Sequence, residues 1–126
     1  MKHLLVPAIL SLATLIAPTL AQAQDADAGA KIFKRCAACH SYNEGGANKV
    51  GPNLWGVFGS TAGQRNISYK FSKAMKESGI VWNDETMSSY LENPKKFIPK
   101  NRMAFPGLKK EDDRKDLIAY LKSVTQ

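Results

Sequence analysis

The sequence predicts an all-α domain with long loops, and three observations carry that expectation. Towards the C-terminus Leu117, Ile118 and Leu121 recur at helical spacing with Tyr120 beside them. Capping residues and prolines stand where helix boundaries need them. Nothing in the pattern requires a strand. Four helical stretches can be traced, for a fold of about four to five helices.

The first stretch runs from Asp27 to Arg35, capped by Asp25 or Asp27, with Ile32 and Phe33 as its apolar side. A loop rich in glycine and asparagine follows, Ser41 to Asn53. Ser72 is a good cap for a short helix reaching Ser78, and Gly79 suits the left-handed residue beyond it. The next helix starts at Asn83 or Asp84, carries Met87, Tyr90 and Leu91 on one side, and stops before Pro94. A non-helical segment, Phe97 to Gly107, holds Pro99 and Pro106 near its ends. The last helix spans about Lys110 to Lys122. Glu111, Asp112 and Asp113 in its first turn and Lys122 in its last have the favourable sense for the helix dipole.

The chain has 126 residues and a formal charge of +7. Its start reads as a leader. Met1-Lys2-His3 is basic, Leu4 to Leu20 is apolar, and Ala21-Gln22-Ala23 is a small-residue cleavage site. Pro7 and Pro18 inside the apolar run weigh against a retained anchor. The expected division is therefore a cleaved signal peptide, 1–23, and one domain, 24–126, exported to a periplasm. Removing Lys2 and His3 leaves His40 as the only histidine.

Cys36-Ala37-Ala38-Cys39-His40 has the spacing of a c-type haem attachment site. Two thiols three positions apart reach two vinyl groups of one porphyrin edge as thioethers, and the following imidazole reaches the iron. A thioredoxin-like pair needs a strand before the motif and an α/β pattern. A structural zinc site needs four ligands, and a plain disulfide leaves His40 unexplained. An all-α domain this small also lacks apolar area, which a large buried cofactor supplies.

With one histidine in 24–126, bis-histidine ligation is impossible, and methionine is the other usual ligand of cytochrome iron. Met75 and Met87 fall in helical patterns, where a core or surface role is the simpler reading. Met103 lies in the segment between Pro99 and Pro106 and is the expected sixth ligand. Two axial ligands close the iron, so the expected function is a soluble one-electron carrier and not an enzyme. A peroxidase or a gas sensor would need an exchangeable sixth site, and a peroxidase usually a distal acid–base group.

From Gly29 to Leu121 the chain resembles the class I cytochromes c, the soluble bacterial and mitochondrial-like group. The resemblance rests on Gly29-x-x-x-Phe33, Cys36 to His40, Lys49 to Leu54, Gly79-Ile80-Val81-Trp82, Tyr90 to Lys96, Met103 to Gly107 and Asp116 to Leu121. It implies the cytochrome c fold, helices and long loops wrapped around one covalently attached haem. It also implies that the Pro52 carbonyl accepts the second imidazole N–H of His40, that Tyr90 stands beside the methionine sulfur, and that Trp82 hydrogen-bonds a haem propionate. Gly29 and Phe33 would pack on the last helix at Leu117 and Tyr120.

The same resemblance implies docking of acidic redox proteins or membrane redox complexes through Arg35, Lys49, Lys95, Lys96, Arg102 and Lys109. A quinol-oxidising complex would be the donor, and a terminal oxidase or photosynthetic reaction centre the acceptor. The chain is expected to act as a monomer, without stable membrane insertion after cleavage and without nucleic acid, for which it has no basic stripe interleaved with stacking aromatics. Departures cluster at the propionate end. Ser60 stands where many relatives have an arginine that compensates a propionate, and Arg65 is the candidate substitute. Phe71 stands where a propionate-binding tyrosine is common, and Tyr69 where phenylalanine is. Lys100 and Asn101 replace a frequent Gly-Thr.

Overall fold

A computed structural model describes residues 24–126; the predicted leader, 1–23, lies outside the described residues. The first helix, α1 (Ala26–Phe33), starts where its donors find a partner. The Asp25 carboxylate accepts from the backbone N–H groups of Asp27 and Ala28 at 2.9 and 3.0 Å, two of the groups that every helix start leaves unsatisfied. The helix ends before the expected Arg35 because the backbone tightens into turns. Cys36 N–H donates to the Phe33 carbonyl at 2.7 Å and His40 N–H to the Cys36 carbonyl at 2.9 Å.

The helix α2 (Lys73–Glu77) begins at the predicted cap, with Ser72 Oγ accepting from Met75 N–H at 3.1 Å. Next, α3 (Asp84–Glu92) is capped reciprocally: Asn83 Oδ1 accepts from Thr86 N–H, and Thr86 Oγ1 from Asn83 N–H, both at 2.9 Å. It stops before Pro94 as expected, but Pro94 then opens a further short helix, α4 (Pro94–Phe97). Proline suits a first helical position, where its missing N–H would have had no partner. The last helix is α5 (Glu111–Val124). Among the described residues the sole β-type pairing is an isolated bridge between Thr61 and Val81, so the all-α expectation holds with five helices.

The principal packing is α1 against α5, and Gly29 makes it possible. A Cβ at that position would stand 2.6 Å from the Asp116 carbonyl carbon and 2.7 Å from Tyr120 Cβ. The two backbones touch because nothing larger than hydrogen separates them. Beside this crossing the Phe33 ring lies 5.6 Å from Tyr120 and 5.3 Å from Tyr42. One apolar cluster then joins Phe33 to Met87, Tyr90 and Leu91 of α3 and to Leu117, Ile118 and Leu121 of α5. Buried Arg114 ties α5 to its surroundings, donating from Nε to Ser88 Oγ at 3.0 Å and from Nη1 to the Leu108 and Lys109 carbonyls at 2.8 and 2.9 Å.

Gly29→Ala should therefore cost about 1–3 kcal/mol, the ordinary penalty for overpacking a contact that cannot relax. Urea denaturation of the haem-loaded protein measures it as a lowered midpoint. An unchanged midpoint would show that α1 and α5 separate freely.

Candidate functional site

The helices and loops enclose a cleft of about 250 Å³. Much of its wall is apolar, with Phe33, Leu54, Val57, Leu91, Leu117 and Leu121 drawn from three helices and the loop after Pro52. Cys36, Cys39 and His40 line it from the turns after α1, and Met103 from the segment between α4 and α5. At Val50 and Cys39 the wall is also molecular surface: both side chains line the cleft and both are exposed, Val50 to 79%.

His40 is held in one orientation. Its Nδ1 lies 2.8 Å from the Pro52 carbonyl oxygen, which accepts the proton there. That tautomer leaves Nε2 unprotonated, the form that binds a metal. The loop comes this close because residue 51 is glycine; a Cβ there would lie 2.8 Å from His40 Nδ1. Burial lowers the His40 pKa below its ordinary value, the Pro52 bond opposes this, and the charges of Arg65 and Lys49 add to the lowering. Neutral imidazole is therefore favoured.

Asn53 fixes the loop that carries Pro52. It is buried, donates through Nδ2 to Ser41 Oγ at 2.8 Å and to the Asn43 carbonyl at 2.9 Å, and accepts the Trp55 N–H at 2.8 Å. The cysteines do not resemble a reactive redox pair, whose thiols are acidified. Burial pushes the Cys36 thiol up, with Arg35 opposing.

Met103 sits in backbone organised by Asn101. The buried Asn101 amide donates to the Pro94 and Ile98 carbonyls, each at 2.8 Å, while its Oδ1 accepts from Met103 N–H at 2.9 Å. The preceding Lys100 has a φ of 66°, the one positive value outside glycine among the described residues. Tyr90 Oη lies 3.8 Å from Met103 Sδ. Burial raises the Tyr90 pKa, with Tyr69 adding to it, so the phenol stays protonated as a donor. The other two methionines are nearer the site than their helical settings suggested: half-buried Met75 and buried Met87 both line the cleft.

Pro52, Trp82 and Tyr90 also line the cleft. The Trp82 side chain is 6% exposed, and its indole N–H takes part in no hydrogen bond among the described residues. Among the described residues no side-chain nitrogen sealed from solvent lacks a partner, so this N–H of a cleft-lining residue is not sealed. At the remaining positions Tyr69 donates to the Val50 carbonyl at 2.9 Å, and Phe71 packs edge-on against Tyr69 at 5.0 Å. Ser60 Oγ donates to the Val57 carbonyl at 2.6 Å and is not part of the wall.

Of the six basic residues singled out, Arg35 and Arg102 line the cleft, Lys49 and Lys109 donate to the Ala37 and Glu92 carbonyls at 2.9 Å, and Lys95 and Lys96 project from α4. Asn53 and Asn101 were not among the predicted site residues. Their signal is weak, because an asparagine in a loop ordinarily reads as a turn residue.

An apolar slot with paired thiols, a nitrogen and a sulfur donor, and an indole N–H without a partner fits a covalently attached haem. The comparisons agree. The cytochrome c family model matches residues 26–125. A cytochrome c of Theileria parva is 53% identical over 102 residues, covering 80% of this chain and 87% of its own length. Those of Gibberella zeae and Arabidopsis thaliana are 52% and 50% identical over 103 residues, each covering 81% of this chain and 96% and 91% of their own.

These relatives correct one expectation. The periplasm inferred from the leader does not stand: the matching proteins are those of an apicomplexan, fungi, plants and an alga, eukaryotes whose cytochromes c typically occupy the mitochondrial intermembrane space. That expectation rests on the reading of residues 1–23 alone, which lie outside the described residues. With a match running almost the whole length of the described domain and relatives half identical over nearly all of theirs, the chain belongs to the class I cytochromes c, electron carriers with a covalently attached c-type haem.

Proposed function

We propose that the chain carries single electrons on one haem bonded through Cys36 and Cys39, with His40 and Met103 as the axial ligands of the iron. The observation that carries this reading is the paired anchoring of the two ligands. Pro52 fixes the tautomer of His40, and Asn101 and Tyr90 hold Met103 in the same cleft. When bound, the haem supplies an iron that changes oxidation state by one electron. The protein holds the donor atoms still and excludes water with an apolar wall, and the Met103 thioether favours the ferrous state. No second histidine in 24–126 is present to serve as a distal acid or base, which supports a carrier over a haem enzyme. Pro52, Trp82 and Tyr90 complete the haem environment in this reading. Residues 1–23 are a leader and 24–126 the working domain; the family match from residue 26 supports that division.

The partners are acidic faces of membrane redox complexes, a quinol-oxidising complex as donor and a terminal oxidase as acceptor, met through Arg35, Lys49, Lys95, Lys96, Arg102 and Lys109. A surface depression lined by Lys70, Lys73, Lys100 and Arg102, with Glu77 paired to Lys73, continues this face from the cleft, sharing Phe71, Ser72 and Arg102 with it. No helix among the described residues is long and apolar enough to cross a membrane, so encounter through this face is the natural means of reaching such complexes. Opposed charge raises association rates, and salt screens it.

Met103→Ala should abolish the near-infrared charge-transfer band of iron–methionine ligation in the ferric protein. It should also lower the ferrous-to-ferric ratio at fixed ambient potential by more than about tenfold. Met75→Ala should leave the band in place; its loss there instead would overturn the ligand assignment. Reversing Lys95 and Lys96 to glutamate should slow oxidation by oxidase-containing membranes by about tenfold at low ionic strength, with the difference collapsing in high salt. Stopped-flow traces that superimpose on the parent at low salt would remove α4 from the docking face.

A further inference from the structure

The cleft wall carries charge of one sign. Arg35, Arg65 and Arg102 line it, and no aspartate or glutamate does. Two of these arginines are exposed and engaged elsewhere: the Arg35 guanidinium lies 5.3 Å from the centre of the Phe105 ring, and Arg102 donates to the Lys70 carbonyl. Arg65 is different. It is half-buried, and its Nη1 alone is committed, to the carbonyls of Asn53 at 2.8 Å and Trp55 at 2.9 Å. A guanidinium has five N–H donors, so among the described residues Nε and Nη2 keep theirs. The ion pairs among the described residues join Lys73 to Glu77, Lys115 to Glu111 and Lys122 to Asp84, and none includes Arg65.

A cation withdrawn from water with no anion beside it is costly, and burial already pulls the Arg65 pKa below its ordinary value. A haem brings two carboxylates into a wall that has none. Nearby in sequence, Ser60 spends its hydroxyl on the Val57 carbonyl and contributes nothing to the wall, while Tyr69 spends its own on Val50. Arg65 is thus the half-buried charged residue lining this cleft whose Nε and Nη2 make no hydrogen bond among the described residues.

We propose that Arg65 pairs with a haem propionate through its free guanidinium N–H groups and so performs the charge compensation that Ser60 cannot. This rests on the haem reading above. The two carbonyl bonds from Nη1 fix the plane of the fork, which prepares it for a carboxylate at little further ordering cost. The cation offsets the propionate's negative charge, which otherwise favours the more positive ferric iron, so Arg65 holds the ferrous state more populated.

The test compares Arg65→Gln and Arg65→Lys in the haem-loaded protein by spectroelectrochemistry. Arg65→Gln should lower the ferrous-to-ferric ratio at fixed ambient potential by about three- to tenfold, the scale of one partly screened charge near a buried site. The near-infrared ligation band should persist. Arg65→Lys should recover most of the loss, since it keeps the charge. Equal ratios in the parent and Arg65→Gln, or equal losses in Gln and Lys, would overturn the proposal and leave Arg65 as a strut for the loop. If Arg65→Gln fails to take up haem, Arg65→Lys decides alone: a ratio within about twofold of the parent supports the charge role, and a tenfold fall overturns it. Dependence of the parent's ratio on added phosphate, absent in the variant, would overturn it in favour of a free anion. Absence of the ligation band in the parent would mark failure of the ligand reading instead, because the band reports the iron and not the propionates.

Discussion

The close approach of α1 and α5 at Gly29 is the constraint on which the rest depends. The turns that leave the first helix carry Cys36, Cys39 and His40, and the last helix delivers Leu117 and Leu121 to the cleft wall. These elements lie some ninety positions apart, so little in local structure relates them. A missing side chain at one residue lets the Asp116 carbonyl and Tyr120 close over α1. Once that crossing exists, the attachment motif has a fixed direction relative to the apolar side of α5, and α3 fills the space left beside both.

Polar side chains then organise the loops that no helix reaches. Asn53 and Asn101 act alike: each is buried, each donates from its amide to acceptors in neighbouring backbone or loop, and each accepts a backbone N–H two residues on. One sets the loop of Pro52, hence the His40 ring, and the other sets the backbone of Met103. Buried amides are expensive unless every bond is made, and here they are made. Lys100, at a φ where glycine is the easier residue, shows that this anchoring holds the chain in a conformation it would not choose.

Much of this was legible in the sequence because the relevant signals are local. Caps at Asp25, Ser72 and Asn83 sit where their hydrogen bonds require, and the pentapeptide Cys36 to His40 carries its own chemistry. The helix α4 was missed because Pro94 was read only as a stop; the same residue also suits a helix start, and four residues show no period. Met75 and Met87 were placed in core or surface by their helices, yet those helices form the cleft wall, which depends on how distant elements pack. The setting of Arg65 was invisible for the same reason: its acceptors, Asn53 and Trp55, lie ten or more residues away across an irregular loop. The compartment was misjudged for another cause: the inference rested on the composition of residues 1–23 alone, and the relatives of the domain point to a different one.

The exposure of Val50 and Cys39 gives the cleft an uneven wall. Arg35, Arg102 and Ala104 also line the cleft and are exposed, so a rim of side chains meets solvent, while Phe33, Leu91, Leu117 and Leu121 back it from the buried side. Electron tunnelling weakens exponentially with distance, so the thin side of such a wall outweighs its thick side. A partner that docks over this rim would meet a short path to a cofactor held in the cleft, and one that docks behind the buried side a long one. Selectivity can thus come from where contact is made as much as from how tightly.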